Sequence, residues 1–329
     1  ASFIEVTNPS AAFYGVGGAR ITSQDGATLM LDAQGSVVVH TGVTEQGQGA
    51  ESVVAQVAAT SFGVPIEKVR VITGDTDSTP YGGGTWASRA AGIGGEAAWQ
   101  AGKALRANVL SLAASILQAK PEGLDVRNGV VVDQTSGTER LSLEELARVA
   151  YFRPDTLPAG VQAELMVTRH YVPRAWPFAF TNGIQASYLE VDTDTGFVKL
   201  LKHWVVEDCG TIINPQLVDE QMRGGIVQGI GAALYEHCLY DERGQLLNGN
   251  MADYLVPMAV EMPDIECGHV VSPTADSELG AKGAGEAGTA GAPACVMNAI
   301  NDALRPLGAA PLTDMPITPG KILQALGKV

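Results

Sequence analysis

The stretch Gly280-Ala281-Lys282-Gly283-Ala284-Gly285-Glu286-Ala287-Gly288-Thr289-Ala290-Gly291-Ala292-Pro293 constrains this chain more than any other. Its glycines allow tight bends and close approach to another molecule. It carries a single carboxylate, Glu286. From Pro293 to Leu304 the apolar residues fall at helical spacing, and a proline suits a first helical turn, so a glycine-rich loop ending at a helix near Pro293 is predicted. A Glu beside a helix start is also the ordinary electrostatic choice there. On this loop alone, a catalytic base and a carboxylate favoured by the helix dipole are equally open.

The rest of the chain bounds what such a loop can serve. Glycine occurs 39 times in 329 residues, above the usual share of about 7%. The glycines cluster in a few loops without a period, which excludes a collagen-like chain and suggests binding sites built from backbone. With 46% hydrophobic and 17% charged residues the chain folds, and its length suits two lobes. The net charge of -15, with no basic block, speaks against nucleic acid or an anionic membrane as partner. A ligand phosphate would be held by backbone N–H groups and helix N-termini. The four cysteines (Cys209, Cys238, Cys267, Cys295) form no C-x-x-C pair, which argues against zinc, iron–sulfur and disulfide frameworks and favours buried free thiols. No apolar run approaches the roughly 20 residues of a membrane span. The chain starts at Ala1 and not at an initiator Met, so its start says little about export. A cytoplasmic location is expected, with export through a partner subunit left open.

Two halves of similar outline are predicted. Residues 27–42 read as a hairpin around Asp32-Ala33-Gln34-Gly35. The turn Glu45-Gln46-Gly47-Gln48-Gly49 opens a helix from about Glu51 to Ser61. A strand over 68–73 leads to a second glycine-rich loop, 79–85, and a helix over about 95–118. In the second half, residues 186–201 repeat strand, turn, strand, and Asn214-Pro215 precedes a helix from about Gln216 to His237. The expected division is a first lobe over 1–150, a proline-rich connection over 151–180, and a second lobe over 181–329 carrying the glutamate.

Several loops hold groups suited to ligands. Gln48 sits between glycines ahead of a helix, and its amide both donates and accepts; an ordinary turn with a cap fits as well. Gly82-Gly83-Gly84-Thr85-Trp86-Ala87-Ser88-Arg89 joins flexible backbone, hydroxyls and an arginine, the parts of an anion cradle. It lacks the Gly-Lys-Ser/Thr ending of a phosphate-binding loop, and no G-x-G-x-x-G follows a strand at dinucleotide spacing. The histidines sit in no nucleophile or zinc-hydrolase setting. His203, in an alternating strand, reads as structural.

Taken in order, Thr41-Gly-Val-Thr-Glu-Gln-Gly-Gln-Gly49, Gly84-Thr-Trp-Ala-Ser-Arg89 through Gly94-Gly95, Asp208-Cys-Gly-Thr-Ile-Ile-Asn-Pro215, Gln221 through Gln228-Gly229, and Gly280-Ala-Lys-Gly-Ala-Gly-Glu286 resemble one family. It is the molybdenum-binding C-terminal half of the large subunit of molybdenum hydroxylases: xanthine dehydrogenase, aldehyde oxidase and carbon monoxide dehydrogenase. The resemblance runs from about residue 27 to the end. It implies an α+β fold of two similar lobes of hairpins and helices, with a molybdopterin cofactor carrying molybdenum, in a dinucleotide form, held between glycine-rich loops. By motif position it places Gly47, Gln48, Gly49, Thr85, Ser88, Arg89, Asn214, Gln228, Lys282 and Gly283 as cofactor contacts. No residue ligates the metal directly, since the pterin supplies the thiolates. Glu286 matches the family's general base, for hydroxylation of an aldehyde or N-heterocyclic carbon with water as the oxygen source. Such a base should be partly desolvated, with a raised pKa. The family's longer subunit supplies an Ala-Tyr-Arg-Gly-like loop that is missing here, as are iron–sulfur and flavin segments. A chain supplying the other half of the subunit, and [2Fe-2S] and FAD partner subunits, are therefore expected, and the chain alone should be inactive. A noncatalytic molybdopterin-binding or assembly module and an excised inactive domain are the rival readings.

Overall fold

The computed structural model describes residues 1–15, 20 and 22–329. Among these the first half runs β1 (Ser2–Thr7), β2 (Asp25–Leu31), β3 (Val37–Thr41), α1 (Ala50–Phe62), β4 (Val69–Ile72), α2 (Gly95–Leu117), β5 (Leu124–Arg127), β6 (Val130–Asp133), β7 (Glu139–Ser142) and α3 (Leu143–Phe152). Then follow β8 (Met166–Tyr171), β9 (Ala179–Val191), β10 (Val198–Asp208), α4 (Pro215–Leu234), β11 (Asp264–His269), α5 (Ala287–Leu304) and α6 (Pro319–Ala325).

The chain forms two compact units from non-contiguous segments. Thr7–Ala179 and Pro273–Lys282 make the N-terminal unit; Ala1–Val6, Phe180–Ser272 and Gly283–Val329 make the C-terminal unit. Residues 151–179, expected as a connection, belong to the N-terminal unit: their strand β8 pairs antiparallel with β2. The reading as a connection rested on prolines at 154, 158, 173 and 177, and these flank the strand without entering it.

The units share one topology. In the N-terminal unit the sheet order is β4-β3-β2-β8, and in the C-terminal unit it is β11-β10-β9-β1. A hairpin lies at the centre of each: Ala27 opposite Thr41 in one, Val198 opposite Val191 in the other. Beside the hairpin's second strand lies a parallel partner, β4 on β3 and β11 on β10. The order strand, strand, helix, strand, helix therefore occurs twice, with α1 and α2 in one unit and α4 and α5 in the other. Both hairpin turns are tied by aspartates. Asp32 Oδ1 accepts from the N–H groups of Gln34 and Ser36, both at 2.9 Å. Asp192 Oδ1 accepts from those of Asp194 (2.8 Å) and Thr195 (3.3 Å). A small antiparallel sheet, β5-β6-β7, and α3 complete the N-terminal unit.

The helix predicted from near Pro293 starts at Ala287, and Pro293 lies inside it. Glycines that read as loop are there because α5 meets α4 backbone to backbone. A Cβ on Gly288 would stand 2.5 Å from the Met222 carbonyl oxygen and 3.0 Å from Gly225 Cα; one on Gly229 would stand 2.6 Å from Ala292 Cβ. Around this crossing Met222, Ile226, Ile230, Val296 and Ile300 are fully buried. Gly288→Ala is therefore expected to cost about 3 kcal/mol, the upper end for overpacking, because neither obstacle is a side chain that can swing away. Gly224→Ala, on the facing helix α4 with nothing within 4 Å of its Cβ, is expected to stabilise by about 0.5–1 kcal/mol. Urea unfolding of both variants checks the pair.

The C-terminal sheet has an inverted pattern. Along β9 the inward positions include Thr181, Gln185 and Ser187, while Phe180, Ile184 and Tyr188 face outward, each at least half exposed. The second hairpin was expected over 186–201 and extends over 179–208 because polar residues on the inner face mask the usual alternation.

Candidate functional site

Each unit has one parallel strand pair, and the loops leaving the carboxyl ends of such strands are where open α/β sheets bind ligands. Ten of the eleven predicted site residues fall in these strand-to-helix loops or at their ends. Gly47, Gln48 and Gly49 lie between β3 and α1; Thr85, Ser88 and Arg89 lie between β4 and α2; Asn214 lies between β10 and α4; Lys282, Gly283 and Glu286 lie between β11 and α5. Gln228 sits apart, exposed on α4.

In the N-terminal unit, the loop before α1 is organised by a residue the sequence reading left without a role. Glu45 Oε1 accepts from the N–H groups of Gln46 (3.1 Å), Gly47 (2.8 Å) and Gly49 (3.0 Å), and Oε2 accepts from that of Glu51 (3.0 Å). Burial works against the charged form, but these bonds outweigh it, so the Glu45 carboxyl lies below its usual range. The nest therefore recognises an anionic oxygen pair. Positive φ at Gly47 (96°) and Gly49 (85°) makes it possible. Gln48 serves the same loop: its Oε1 accepts from Gln46 N–H at 2.6 Å and its Nε2 donates to the Thr44 carbonyl at 3.1 Å. Thr85 laces the two loops together, donating to the Thr44 carbonyl (2.8 Å) and accepting from Thr44 N–H (3.1 Å).

Arg89 departs from its expected role. Its side chain is fully buried, ion-paired with an equally buried Asp25, and bonded to the carbonyls of Gly84 (2.5 Å) and Gln24 (2.9 Å). Its fork is engaged within the unit and holds the glycine loop in place, so it does not present itself as a phosphate ligand. Burial outweighs the arginine's attraction and pushes the Asp25 carboxyl up to about 6. Just before it, Ala87 and Ser88 both take left-handed backbone, φ 45° and 50°, strained conformations for residues with a Cβ that cost on the order of 1–3 kcal/mol each. Gly84 has open space beside it, with only Thr44 Oγ1 at 4.0 Å.

The segment carrying Glu286 changes unit at Lys282–Gly283. In the N-terminal unit the approach is anchored by Asn8 Nδ2 donating to the Ala281 carbonyl (3.0 Å), and Lys282 is buried. In the C-terminal unit the flanks of Glu286 are held by side chains. Thr181 Oγ1 donates to the Gly283 carbonyl at 2.5 Å and Gln221 Nε2 to that of Gly285 at 2.6 Å. Beyond Glu286, Thr289 Oγ1 donates to the Gly225 carbonyl at 2.7 Å, with Gln228 Oε1 3.1 Å away. Glu286 occupies the N-cap position of α5, and its carbonyl accepts from Ala290 N–H at 3.0 Å. Its side chain is exposed, where a partly desolvated one was expected; this chain by itself does not bury it. Asn214 caps α4, its Oδ1 accepting from Leu217 N–H at 3.1 Å.

Beneath α5, on the inner face of the C-terminal sheet, His203 is fully buried. Burial pushes its pKa down to about 4. The unfolded chain's histidine titrates near 6.5 and so binds more protons than the native one between those values. The stability this group contributes is whole above about pH 6.5 and is lost as pH falls through about 4. The loss expected is on the order of 3 kcal/mol, absent in His203→Gln, and urea melts at pH 7 and pH 4.5 measure it.

These loops, with their order and topology, define a cofactor-binding class. The chain belongs to the molybdopterin-binding domains of the molybdenum hydroxylase family: residues 5–263 match the molybdopterin cofactor-binding domain. It is 38% identical over 326 residues to the nicotine 6-hydroxylase large subunit of Paenarthrobacter nicotinovorans, covering 98% of this chain and 39% of that protein. It is 32% identical over 302 residues to the carbon monoxide dehydrogenase large chain of Hydrogenophaga pseudoflava, covering 92% of this chain and 37% of that one. The solved structure of quinoline 2-oxidoreductase from Pseudomonas putida 86 matches it with a TM-score of 0.89 and 36% identity, over 99% of this chain and 41% of that one. The chain thus spans about two fifths of the length of these relatives. Among the described residues no helix is long and apolar enough to cross a membrane.

Proposed function

We propose that this chain is the molybdopterin-holding, base-bearing module of a molybdenum hydroxylase. The observation that carries this reading is the tethering of Glu286, whose flanking carbonyls at Gly283 and Gly285 are both fixed by side-chain donors. A carboxylate left exposed on so constrained a backbone is suited to moving a proton at a fixed point.

The loops leave room for the cofactor, and molybdenum would arrive with the pterin's own sulfur ligands. The N–H groups of Gln46, Gly47, Gly49 and Glu51 are taken by the Glu45 carboxylate, which fixes the loop's shape, and the open space beside Gly47 leaves a ligand room to approach its backbone. Gln48, Thr85, Ser88 and Lys282 are the further candidate contacts of the N-terminal unit, and Asn214, Gln228 and Gly283 those of the C-terminal unit. When bound, the cofactor supplies the two-electron redox chemistry. This chain's residues fix its place, and Glu286 takes up the proton released as water-derived oxygen is added to carbon. Relatives named for nicotine and quinoline favour an N-heterocyclic carbon over an aldehyde.

Electrons leave through partner subunits carrying [2Fe-2S] and FAD. The exposed outer face of the C-terminal sheet, with Ile4, Phe180, Ile184 and Val206, fits burial under the polypeptide that makes up the remaining three fifths of the relatives' subunit. The test is turnover of an N-heterocycle in ¹⁸O-labelled water by the complex purified with its partners. Near-stoichiometric molybdenum and labelled product are expected. Product oxygen drawn from O₂, or a complex free of molybdenum with its partners present, would overturn the reading.

A further inference from the structure

The first turns of α5 are poor helix by composition. Gly288, Gly291 and Pro293 all disfavour the conformation, and Pro293 removes the N–H that would bond to the Thr289 carbonyl. What sets the direction of the turn that follows Glu286 must therefore come from outside the helix.

One buried side chain does this from below. Gln185 Nε2 lies 2.8 Å from the Gly288 carbonyl oxygen and 3.4 Å from that of Ala287. Carbonyls only accept, so this end of the amide is the donor and Oε1 must accept. Oε1 lies 3.1 Å from His203 Nε2, which therefore carries the imidazole proton. His203 Nδ1 is then the acceptor and takes the hydroxyl of Ser187 at 2.7 Å. Ser187 Oγ in turn accepts from the Cys295 thiol at 3.5 Å. Donation runs one way along the whole chain: Cys295, Ser187, His203, Gln185, then the first turn of α5. A Cβ at Gly291 would stand 3.2 Å from Gln185 Nε2, so a glycine leaves the room the amide needs.

We propose that Gln185, oriented by the neutral Nε2–H form of His203, is a positioning residue for Glu286, fixing the first turn of α5 so that the carboxylate meets the reacting centre. The inference rests on the reading of Glu286 as base. Neither residue touches the carboxylate; both act through the helix backbone. Without the amide the glycines and the proline let the turn fray, and a base displaced by about 1 Å can lose roughly 100-fold in rate.

The test uses the complex with its partner chains. Gln185→Leu is expected to speed amide exchange across residues 287–292 by about tenfold, the effect of losing one ordinary hydrogen bond. It should lower kcat by about 10–100-fold while KM stays nearly unchanged and molybdenum is retained. His203→Leu should follow it, and His203→Gln, which can still donate to Oε1, should recover most of both effects. If Gln185→Leu does not fold, Gly291→Ala displaces the same amide from the other side. Unchanged exchange in 287–292 overturns the tether. Faster exchange with unchanged kcat, in a complex that Glu286→Gln inactivates, overturns the positioning role. Failure of the base reading shows separately, as a Glu286→Gln complex that still turns over.

Discussion

Glu286→Gln is expected to lower kcat of the assembled complex by about 10²–10⁴-fold, the range for loss of a general base, with molybdenum content and fold unchanged. The substitution keeps the side chain's shape and removes its capacity to take a proton. The backbone carries what the fold needs from this position: the Glu286 carbonyl bonds to Ala290, and Thr181 and Gln221 hold the residues before it. The exposed side chain makes the expected change in stability less than about 0.5 kcal/mol. Turnover and elemental analysis on one preparation read both quantities. A noncatalytic carrier would keep its metal and its partners and lose nothing, so full activity in Glu286→Gln would favour that rival.

Asp25→Ala is expected to destabilise the protein by about 3–5 kcal/mol, because it leaves the guanidinium of Arg89 buried without its counter-charge. The carbonyls of Gly84 and Gln24 still accept from it, but they cannot neutralise it, and arginine does not deprotonate in compensation. The reverse substitution behaves differently. In Arg89→Met the buried carboxyl of Asp25 can escape by taking a proton, and burial already pushes it up to about 6 with the arginine present. The native carboxyl then titrates well above the unfolded one, so stability is retained at low pH and lost as pH rises through the native value. The defect in Arg89→Met should grow from pH 5 to pH 8, whereas that in Asp25→Ala should not grow, because the wild type itself gives up part of the Asp25 contribution as pH rises through about 6. Urea unfolding at the two pH values measures this, and parallel pH behaviour of the two variants would sink the account.

Much of the fold was legible because its signals are local. The turns Asp32–Gly35 and Asp192–Gly196 announce both hairpins, and α1 and α2 begin and end within a residue or two of expectation. What was misread depends on neighbours distant in sequence. Gly288 looks like a loop residue, and Pro293 like the start of a helix, until Gly288 is seen packed against Gly225 and Pro293 against Gly229. Arg89 looks like a ligand for phosphate because nothing in its own loop reveals Asp25. Gln185 and His203 went unremarked as a pair because they lie on opposite strands of a hairpin, and a polar residue on the inner face leaves no mark in a hydrophobic pattern. The inverted exposure of Phe180, Ile184 and Tyr188 was the available signal, since a strand with apolar residues turned outward must hide polar ones within. Glu45 stood in plain view inside its motif, but only the geometry shows its carboxylate gathering four N–H groups.

The interleaving of the two units has a consequence for synthesis. A ribosome has made residues 7–179 long before the returning segment 273–282 of the same unit exists, and β1 is made well before β9 and must wait for it before it can pair. Both units therefore close late, on consecutive stretches of nascent chain: 273–282 for the N-terminal unit and 283–329 for the C-terminal one. Cutting the gene between the apparent halves separates β1 from its sheet and residues 273–282 from theirs. The two products should be unable to fold singly and able to recover only when expressed together.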